Sequence, residues 1–240
     1  MHGTNQIIIR QILDAIRSTI SPIFVINSSN SQRTVINGTI FFINHDENTY
    51  ALTANHVHTD LNIFQQDSIN RNIRIRDGGL FADLNPVIAY TDSDNDLVIY
   101  RINNTLPHNI RPFRGRLLPV VGDISVGTTL VTMGFPGRAR DEGDDHVVFG
   151  IYSSFPIVDD ITQAGMININ IDQSQLELID GMEIPTPNLD LGGMSGAPIF
   201  FIRQGLIETW ELCGIVTRSI FNNSNFGGVV IRSDLLDSFS

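Results

Sequence analysis

Short runs of β-branched and aromatic residues recur along most of this chain, and this pattern constrains its fold more than any other feature. Turn-forming Asn, Asp, Gly and Pro residues separate the runs. Many short strands with few helices between them are typical of an all-β sandwich or barrel. The clearest runs are Thr39–Ile43, Tyr50–Thr53, Pro86–Tyr90, Leu97–Ile102, Thr129–Gly134, His146–Tyr152, Met166–Ile171, Ala197–Ile202, Leu212–Thr217 and Gly228–Ile231.

Two segments near the ends of the chain depart from the strand pattern. Residues 5–18 carry apolar side chains at a helical spacing, with Thr4 or Asn5 as a candidate N-cap. Ser233–Phe239 has an aspartate, Asp234, where the first turn of a short helix is expected. The sequence therefore predicts a short helix at each end of an all-β body.

The charge balance excludes some classes of partner. The chain has 240 residues with 15 basic and 26 acidic side chains, for a formal net charge of −11. Phosphate contacts need clustered basic residues, so we expect no nucleic-acid partner.

No segment is long and apolar enough to cross a membrane, and no basic segment precedes the N-terminal apolar run as in a signal peptide. The single cysteine, Cys213, cannot form an internal disulfide, so we expect a cytoplasmic location.

The chain contains arginine but no lysine. The absence of lysine from the sequence excludes a Walker lysine, a pyridoxal-phosphate Schiff base and a Ser-Lys dyad. We expect no cofactor, and the sequence gives no reason for the missing lysines.

Three segments carry residues that could act together in catalysis. Ser195 lies in the Gly-rich turn of Gly193–Pro198 (GMSGAP), His56 follows the apolar run that ends in Thr53–Asn55, and Asp96 opens the run Asp96–Ile99 (DLVI). Each feature alone is ordinary, because such turns, histidines and aspartates are usually structural. The order His, Asp, Ser, with each residue at the end of a predicted strand, is much less ordinary.

In these three segments the chain resembles the trypsin-like (chymotrypsin-fold) serine peptidases, most closely their bacterial HtrA-type and intracellular branch. The resemblance implies two antiparallel six-stranded Greek-key barrels with the catalytic residues between them, and a bacterial source. With the polar, proline-containing segment Asn103–Arg116 as boundary, we expect an N-terminal helical segment over residues 1–20, a first barrel over 21–116 and a second barrel with a C-terminal helix over 117–240. A PDZ domain is not expected.

The resemblance also implies a serine endopeptidase mechanism. Ser195 attacks the scissile carbonyl, His56 accepts and returns the proton, and Asp96 orients the imidazole. The backbone amides of Gly193 and Ser195 form the oxyanion hole. Thr217 matches the residue that supports the aspartate from the strand that pairs with substrate. The departures are mild: Met194 and Ala197 replace an acidic or amide residue and a small one in the family's serine motif.

The resemblance places the pocket for the residue preceding the scissile bond, P1, around two further segments. Its walls are implied to be Leu189, Asp190, Thr217, Arg218, Ser219 and Gly228, with Gly227 beside the last of these. Asp190 favours a basic P1 if it faces inward, whereas Leu189 and the glycines favour an aliphatic one. Because Arg218 can neutralise Asp190, we expect an aliphatic P1.

The alternatives fall into other classes of protein. A catalytically silent trypsin-like fold would bind peptides or proteins, but the chain keeps all three triad residues. An α/β-hydrolase needs its histidine after its serine, and no histidine follows His146. The His56–His58 pair and Asp92–Asp96 give only weak metal signals, so no metal is expected. The expected partners are a peptide or protein substrate and a regulatory protein or second copy contacting the N-terminal helix.

Overall fold

The computed structural model describes residues 3–27, 34–66, 72–77, 80–115, 124–137, 139–142, 147–163, 166–172, 175–181, 191–203, 209–219 and 225–230. The helices described there are α1 (Gly3–Arg17) and α2 (Asn55–Gln66). The strands described are β1 (Ile20–Asn27), β2 (Thr34–His45), β3 (Asn48–Ala54), β4 (Arg74–Asp77), β5 (Leu80–Asp83), β6 (Val87–Asp92), β7 (Leu97–Ile102), β8 (Leu130–Gly134), β9 (Arg140–Glu142), β10 (Val147–Phe149), β11 (Ile151–Ser154), β12 (Ile157–Ile161), β13 (Ile167–Asn170), β14 (Glu177–Asp180), β15 (Pro198–Arg203), β16 (Thr209–Ser219) and β17 (Asn225–Val230). None of the described helices is long and apolar enough to span a membrane.

The first sheet has the strand order β5-β4-β1-β2-β3-β7-β6, with antiparallel pairing throughout. Only residues 84–86 separate β5 from β6, so the two are halves of one bent strand that pairs with β4 on one side and β7 on the other. Pro86 lies at the bend, where its missing N–H removes a ladder hydrogen bond. Counted in this way, six strands form a closed ring.

The second sheet has the order β12-β13-β17-β16-β15-β8-β11-β14. It also closes, because Val158 N donates to Thr128 O at 2.9 Å and Leu130 N donates to Pro156 O at 2.8 Å, which joins β12 to the start of β8. Strands β8, β12, β13, β17, β16 and β15 form this ring, and β14 extends it beside β11. The predicted all-β fold of two antiparallel barrels is therefore confirmed.

Several details differ from the sequence-based expectation. The run His146–Tyr152 forms two strands: among the described residues β10 pairs with β9, and β11, after Gly150, pairs with β8 and β14. His56 and the residues after it form helix α2, which the sequence did not predict. The predicted N-terminal helix is present as α1. The predicted C-terminal helix, Ser233–Phe239, lies outside the described residues.

Side chains of the long strand β2 alternate between two hydrophobic cores, one inside the first barrel and one between the two barrels. Ile40 and Phe42 pack inside the first barrel, while Phe41 and Ile43 face the second barrel. Between the barrels, the Phe41 ring lies 6.0 Å from the Phe200 ring and Phe200 lies 4.9 Å from Trp210, measured between centroids. This burial on both faces explains why the run is so uniformly apolar, and it fixes how the barrels lie against each other.

Helix α1 packs its apolar face against the same core. Ile12, Leu13 and Ile16 are buried there, as their helical spacing predicts. Arg17, in its last turn, forms an ion pair with Asp180 of the second barrel.

Candidate active site

His56 is held at the N-terminus of α2 by the carboxylate of Asp96. Its backbone N–H donates to Asp96 Oδ1 at 2.8 Å, and its ring Nδ1 lies 2.7 Å from Asp96 Oδ2. The first N–H groups of a helix lack intrahelical partners, so an acidic side chain at this position stabilises the helix start and fixes the histidine at once. Because a carboxylate only accepts hydrogen bonds, the ring proton sits on Nδ1 and Nε2 keeps a free lone pair.

The two partners differ in their access to solvent. The side chain of Asp96 is 6% exposed, whereas that of His56 is 41% exposed. A buried carboxylate behind a half-exposed imidazole can stabilise the positive charge that forms when His56 accepts a proton.

Asp96 reaches this position through an unusual backbone conformation. Its φ is +56°, in the left-handed region that asparagine and aspartate tolerate better than other non-glycine residues. The turn before it is organised by Asp92, whose Oδ1 accepts the N–H groups of Asp94 and Asn95 at 3.1 and 3.0 Å. The side chain of Asn95 donates to the same carboxylate, and these hydrogen bonds lower the pKa of Asp92. Asp92 therefore organises the turn that leads to Asp96.

Ser195 lies in a tight turn between two glycines with positive φ. Gly193 has a φ of +97° and Gly196 one of +90°, which L-residues with a Cβ rarely adopt. The N–H groups of Gly193 and Ser195 donate to no atom of the described residues. Both therefore have the free donors that an oxyanion would need.

The hydroxyl of Ser195 is directed toward β16 in this structure. Ser195 is 7% exposed, and its Oγ donates to the carbonyl of Thr217 at 3.3 Å. Its side chain and that of His56, both described, form no hydrogen bond with each other.

The expected support of Asp96 by Thr217 is not present in this structure. Thr217 is buried, but its Oγ1 has no hydrogen-bond partner in the described part of the chain. Its carbonyl, not its hydroxyl, contacts the site. The hydrogen bonds to Asp96 come from His56 instead.

The turn of Ser195 packs directly against the end of β3 that leads to His56. A Cβ on Gly196 would lie 1.9 Å from Thr39 O and 2.5 Å from Thr53 Oγ1. Thr53 donates to Thr39 O at 2.7 Å, and Thr39 N donates to Ser195 O at 2.9 Å. The structure thus brings the segments of Ser195 and His56 together across the two barrels.

The predicted P1 pocket is only partly described. Leu189 and Asp190 lie outside the described residues. The backbones of Thr217, Arg218 and Ser219 belong to β16, and Gly228 of β17 pairs with Val216 and Ile167. Met194, next to Ser195, is fully buried in the second barrel's core, which accounts for its apolar side chain.

Sequence reasoning missed Asn37 and Thr39 of β2, which hold the site from the first barrel. Asn37 Nδ2 donates to Phe135 O at 3.2 Å, and Arg140 donates to Asn37 Oδ1 at 2.5 Å. The available signal was Thr39 at the start of the apolar run Thr39–Ile43, since a buried polar side chain needs a partner.

The second histidine of α2, His58, faces away from His56, because residues two apart on a helix point in different directions. Its Nδ1 lies 2.7 Å from the hydroxyl of Tyr100, and Asn62 contacts its Nε2 at 2.8 Å. Among the described residues, no group of three or more His, Cys, Asp or Glu side chains could hold a metal ion.

We expect His58 to make stability depend on pH. Burial lowers the pKa of His58 below its usual value, so the unfolded chain takes up its proton more readily than the folded one. Its contribution therefore favours folding above about pH 6.5 and is lost as pH falls through the range below. Urea unfolding of H58Q between pH 7.5 and 5 should show a smaller loss of stability than the wild type. H108Q, at an exposed position, is the control, and identical losses in H58Q and the wild type contradict this prediction.

Two antiparallel barrels, with His56 and Asp96 on the first and Ser195 on the second, form the double-barrel architecture predicted from the sequence. No protein-family model matches this chain, and no curated protein matches it. Among solved structures, it is similar to the Rv3671c protease of M. tuberculosis in its active form, at 14% identity and a TM-score of 0.49, over 97% of this chain and 84% of that one. It is also similar to Rv3671c from M. tuberculosis H37Rv in an inactive form with a serine replaced by alanine, at 15% identity and a TM-score of 0.49, over 95% of this chain and 87% of that one.

Proposed function

We propose that this chain is a serine endopeptidase that acts through Ser195, His56 and Asp96. One observation carries the proposal: the Asp96 carboxylate binds both the ring Nδ1 and the backbone N–H of His56, which leaves Nε2 as a free base. A histidine held in this tautomer beside a buried carboxylate is the arrangement that activates a serine hydroxyl.

The proposed reaction begins when substrate enters and Ser195 turns toward His56. Ser195 Oγ attacks the scissile carbonyl while His56 Nε2 accepts its proton, and the N–H groups of Gly193 and Ser195 stabilise the oxyanion. His56 then protonates the leaving amine, which gives an acyl-enzyme and the first peptide product. Water, activated by His56, hydrolyses the acyl-enzyme and restores Ser195.

A second candidate function is a catalytically silent, peptide-binding form of this fold. The observation that favours it is the hydrogen bond from Ser195 Oγ to Thr217 O, which directs the hydroxyl away from His56. At 3.3 Å this bond is long for an O–H donor, so little free energy opposes its replacement. We therefore favour the active enzyme.

Peptide-library cleavage separates the two candidates. The wild type should cleave library peptides at internal bonds, and S195A should cleave none while it still binds them. Binding by both proteins with cleavage by neither supports the silent module. Chelators should leave the cleavage unchanged.

We expect an aliphatic P1 residue in the preferred cleavage sites. Matched peptides with Val, Leu or Arg at P1 should give the higher kcat/KM with Val or Leu, because the family resemblance implies an apolar wall from Leu189 and Gly228 and a charge on Arg218 that offsets Asp190. The variant D190N should then change the Arg peptide's kcat/KM by less than about tenfold, which corresponds to about 1.4 kcal/mol. A strong Arg preference that D190N abolishes contradicts this prediction.

The remaining partners follow from the same proposal. We propose a peptide or protein substrate, and a regulatory protein or second copy of the chain as the partner of helix α1. A cytoplasmic location stays a prediction from the single cysteine.

A further inference from the structure

Thr39 of β2 is fully buried, and both its side-chain hydroxyl and its backbone N–H form hydrogen bonds with segments of the candidate site. Its Oγ1 donates to the carbonyl of Gly193 at 2.8 Å and accepts from the N–H of Phe135 at 3.1 Å. Its backbone N–H donates to the carbonyl of Ser195 at 2.9 Å. One first-barrel residue thus holds two carbonyls of the second-barrel turn that contains the nucleophile.

The second barrel holds the other carbonyls of this turn. Gly137 N donates to Gly192 O, and Ala197 N donates to Met194 O at 2.8 Å. These two carbonyls belong to the same peptide groups as the free N–H donors of Gly193 and Ser195. Their orientation is therefore set by internal second-barrel bonds, and their position relative to the first barrel is set by Thr39.

No water molecule can take over the hydrogen bonds of the Thr39 hydroxyl if this group is removed. The residue has no exposed surface, so water cannot replace a lost hydrogen bond to Gly193 O or Phe135 N. Space for the hydroxyl exists because residue 134 is glycine: a Cβ there would lie 2.8 Å from Thr39 Oγ1. Phe135 and Gly193 are thus tied together through this one oxygen atom.

We propose that Thr39 is a positioning residue that aligns the oxyanion donors of Gly193 and Ser195 with His56 of the first barrel. This inference rests on the proposed function. The hydroxyl of Thr39 touches neither substrate nor the reacting atoms, and its effect passes through the backbone at Gly193. The Thr39 backbone N–H holds Ser195 separately, so removal of the hydroxyl leaves that bond in place.

Two comparisons test this inference, the wild type with T39V and T39S with T39A. T39V removes the hydroxyl from an almost isosteric side chain, and T39S retains it without the methyl group. T39A completes the set, because T39S and T39A differ in the hydroxyl alone, so the comparison remains available if T39V does not fold. Thermal unfolding of each variant reports on folding separately from activity.

We expect T39V to lower kcat by about 10- to 100-fold, less than the loss of a direct oxyanion donor, with KM within about threefold of the wild type. T39S should stay within about threefold of the wild type in kcat, and T39A should resemble T39V. A peptide aldehyde, whose hemiacetal oxygen occupies the oxyanion site, should bind T39V more weakly by the same factor as kcat. The pH profile should keep its shape, because His56 and Asp96 are unchanged.

If the wild type is active and T39V and T39A have the same kcat as the wild type, the inference is overturned and the proposed function stays intact. A loss confined to KM, or one that T39S shares in full, also overturns it. An inactive wild type overturns the proposed function itself, which separates the two failures.

Discussion

Replacement of Ser195 by alanine should lower kcat by about a million-fold on the best library peptide, with KM little changed. The loss is this large because the variant has no nucleophile, and His56 then has no hydroxyl to deprotonate. H56A should lose activity by a similar factor. The double variant S195A/H56A should be no slower than either single variant, since nucleophile and base act as a unit. Steady-state kinetics measures kcat and KM of the three variants, with enzyme concentration determined by a method that does not depend on the active site.

A buried serine outside the site provides the matched control. Ser153 is fully buried and its Oγ has no hydrogen-bond partner in the described part of the chain, so S153A should keep both fold and activity. Activity in S195A within about tenfold of the wild type contradicts the triad. A loss in S153A as large as in S195A shows that the serine effect is structural.

A single methyl group added at Gly196, in the variant G196A, should destabilise the fold severely. The new Cβ would lie 1.9 Å from Thr39 O and 2.5 Å from Thr53 Oγ1, and the residue has a φ of +90°. The closest atom is backbone, so neither side can move without breaking the contact between the barrels. We expect the free energy of unfolding to fall by about 4 kcal/mol or more, at the extreme of single substitutions. Urea unfolding followed by tryptophan fluorescence measures it through Trp210.

G127A separates the steric clash from the backbone strain. Gly127 has a similar φ of +86°, but a Cβ there meets no atom within 4 Å. We expect G127A to cost about 1–2 kcal/mol, the cost of the left-handed conformation alone. Equal losses in G127A and G196A contradict the packing account of the serine turn.

Several strands that are apolar on both faces or alternate clearly could be predicted from the sequence, although the apolar strand β1 was missed. Leu97–Ile102 forms β7 with the predicted bounds, and the run at Tyr50–Thr53 lies inside β3. Strands β4, β5 and β14 were missed because they are short and carry charged or polar residues. Their pairing comes from the neighbouring strands, which local periodicity does not report.

Helix α2 was missed for a different reason. Its sequence, NHVHTDLNIFQQ, has β-branched residues and no acidic residue in its first turn. The acidic group at its start comes from Asp96, forty residues later in the chain, through the hydrogen bond to His56 N. A cap supplied from a distant segment leaves no local signal for the helix start.

The sequence indicates which residues form the candidate site, but not which contacts hold these residues in place. The motifs around His56, Asp96 and Ser195 predict the chemistry because each needs a particular side chain. The left-handed φ of Asp96 and the bonds of Thr39 depend on contacts between strands far apart in the sequence. Residues 182–190, which include Leu189 and Asp190, lie outside the described residues, so the P1 pocket rests on the sequence alone.

Labelling with a fluorophosphonate probe tests the central claim most directly, because the reaction needs an activated serine and no knowledge of the substrate. The wild type should be labelled at a single site, and peptide mapping by mass spectrometry should locate the phosphonyl group on Ser195. S195A and heat-denatured wild type should not be labelled, and H56A should be labelled far more slowly. Folded wild type that takes up no label, or label that maps to another residue, would contradict the claim that this chain is a serine endopeptidase.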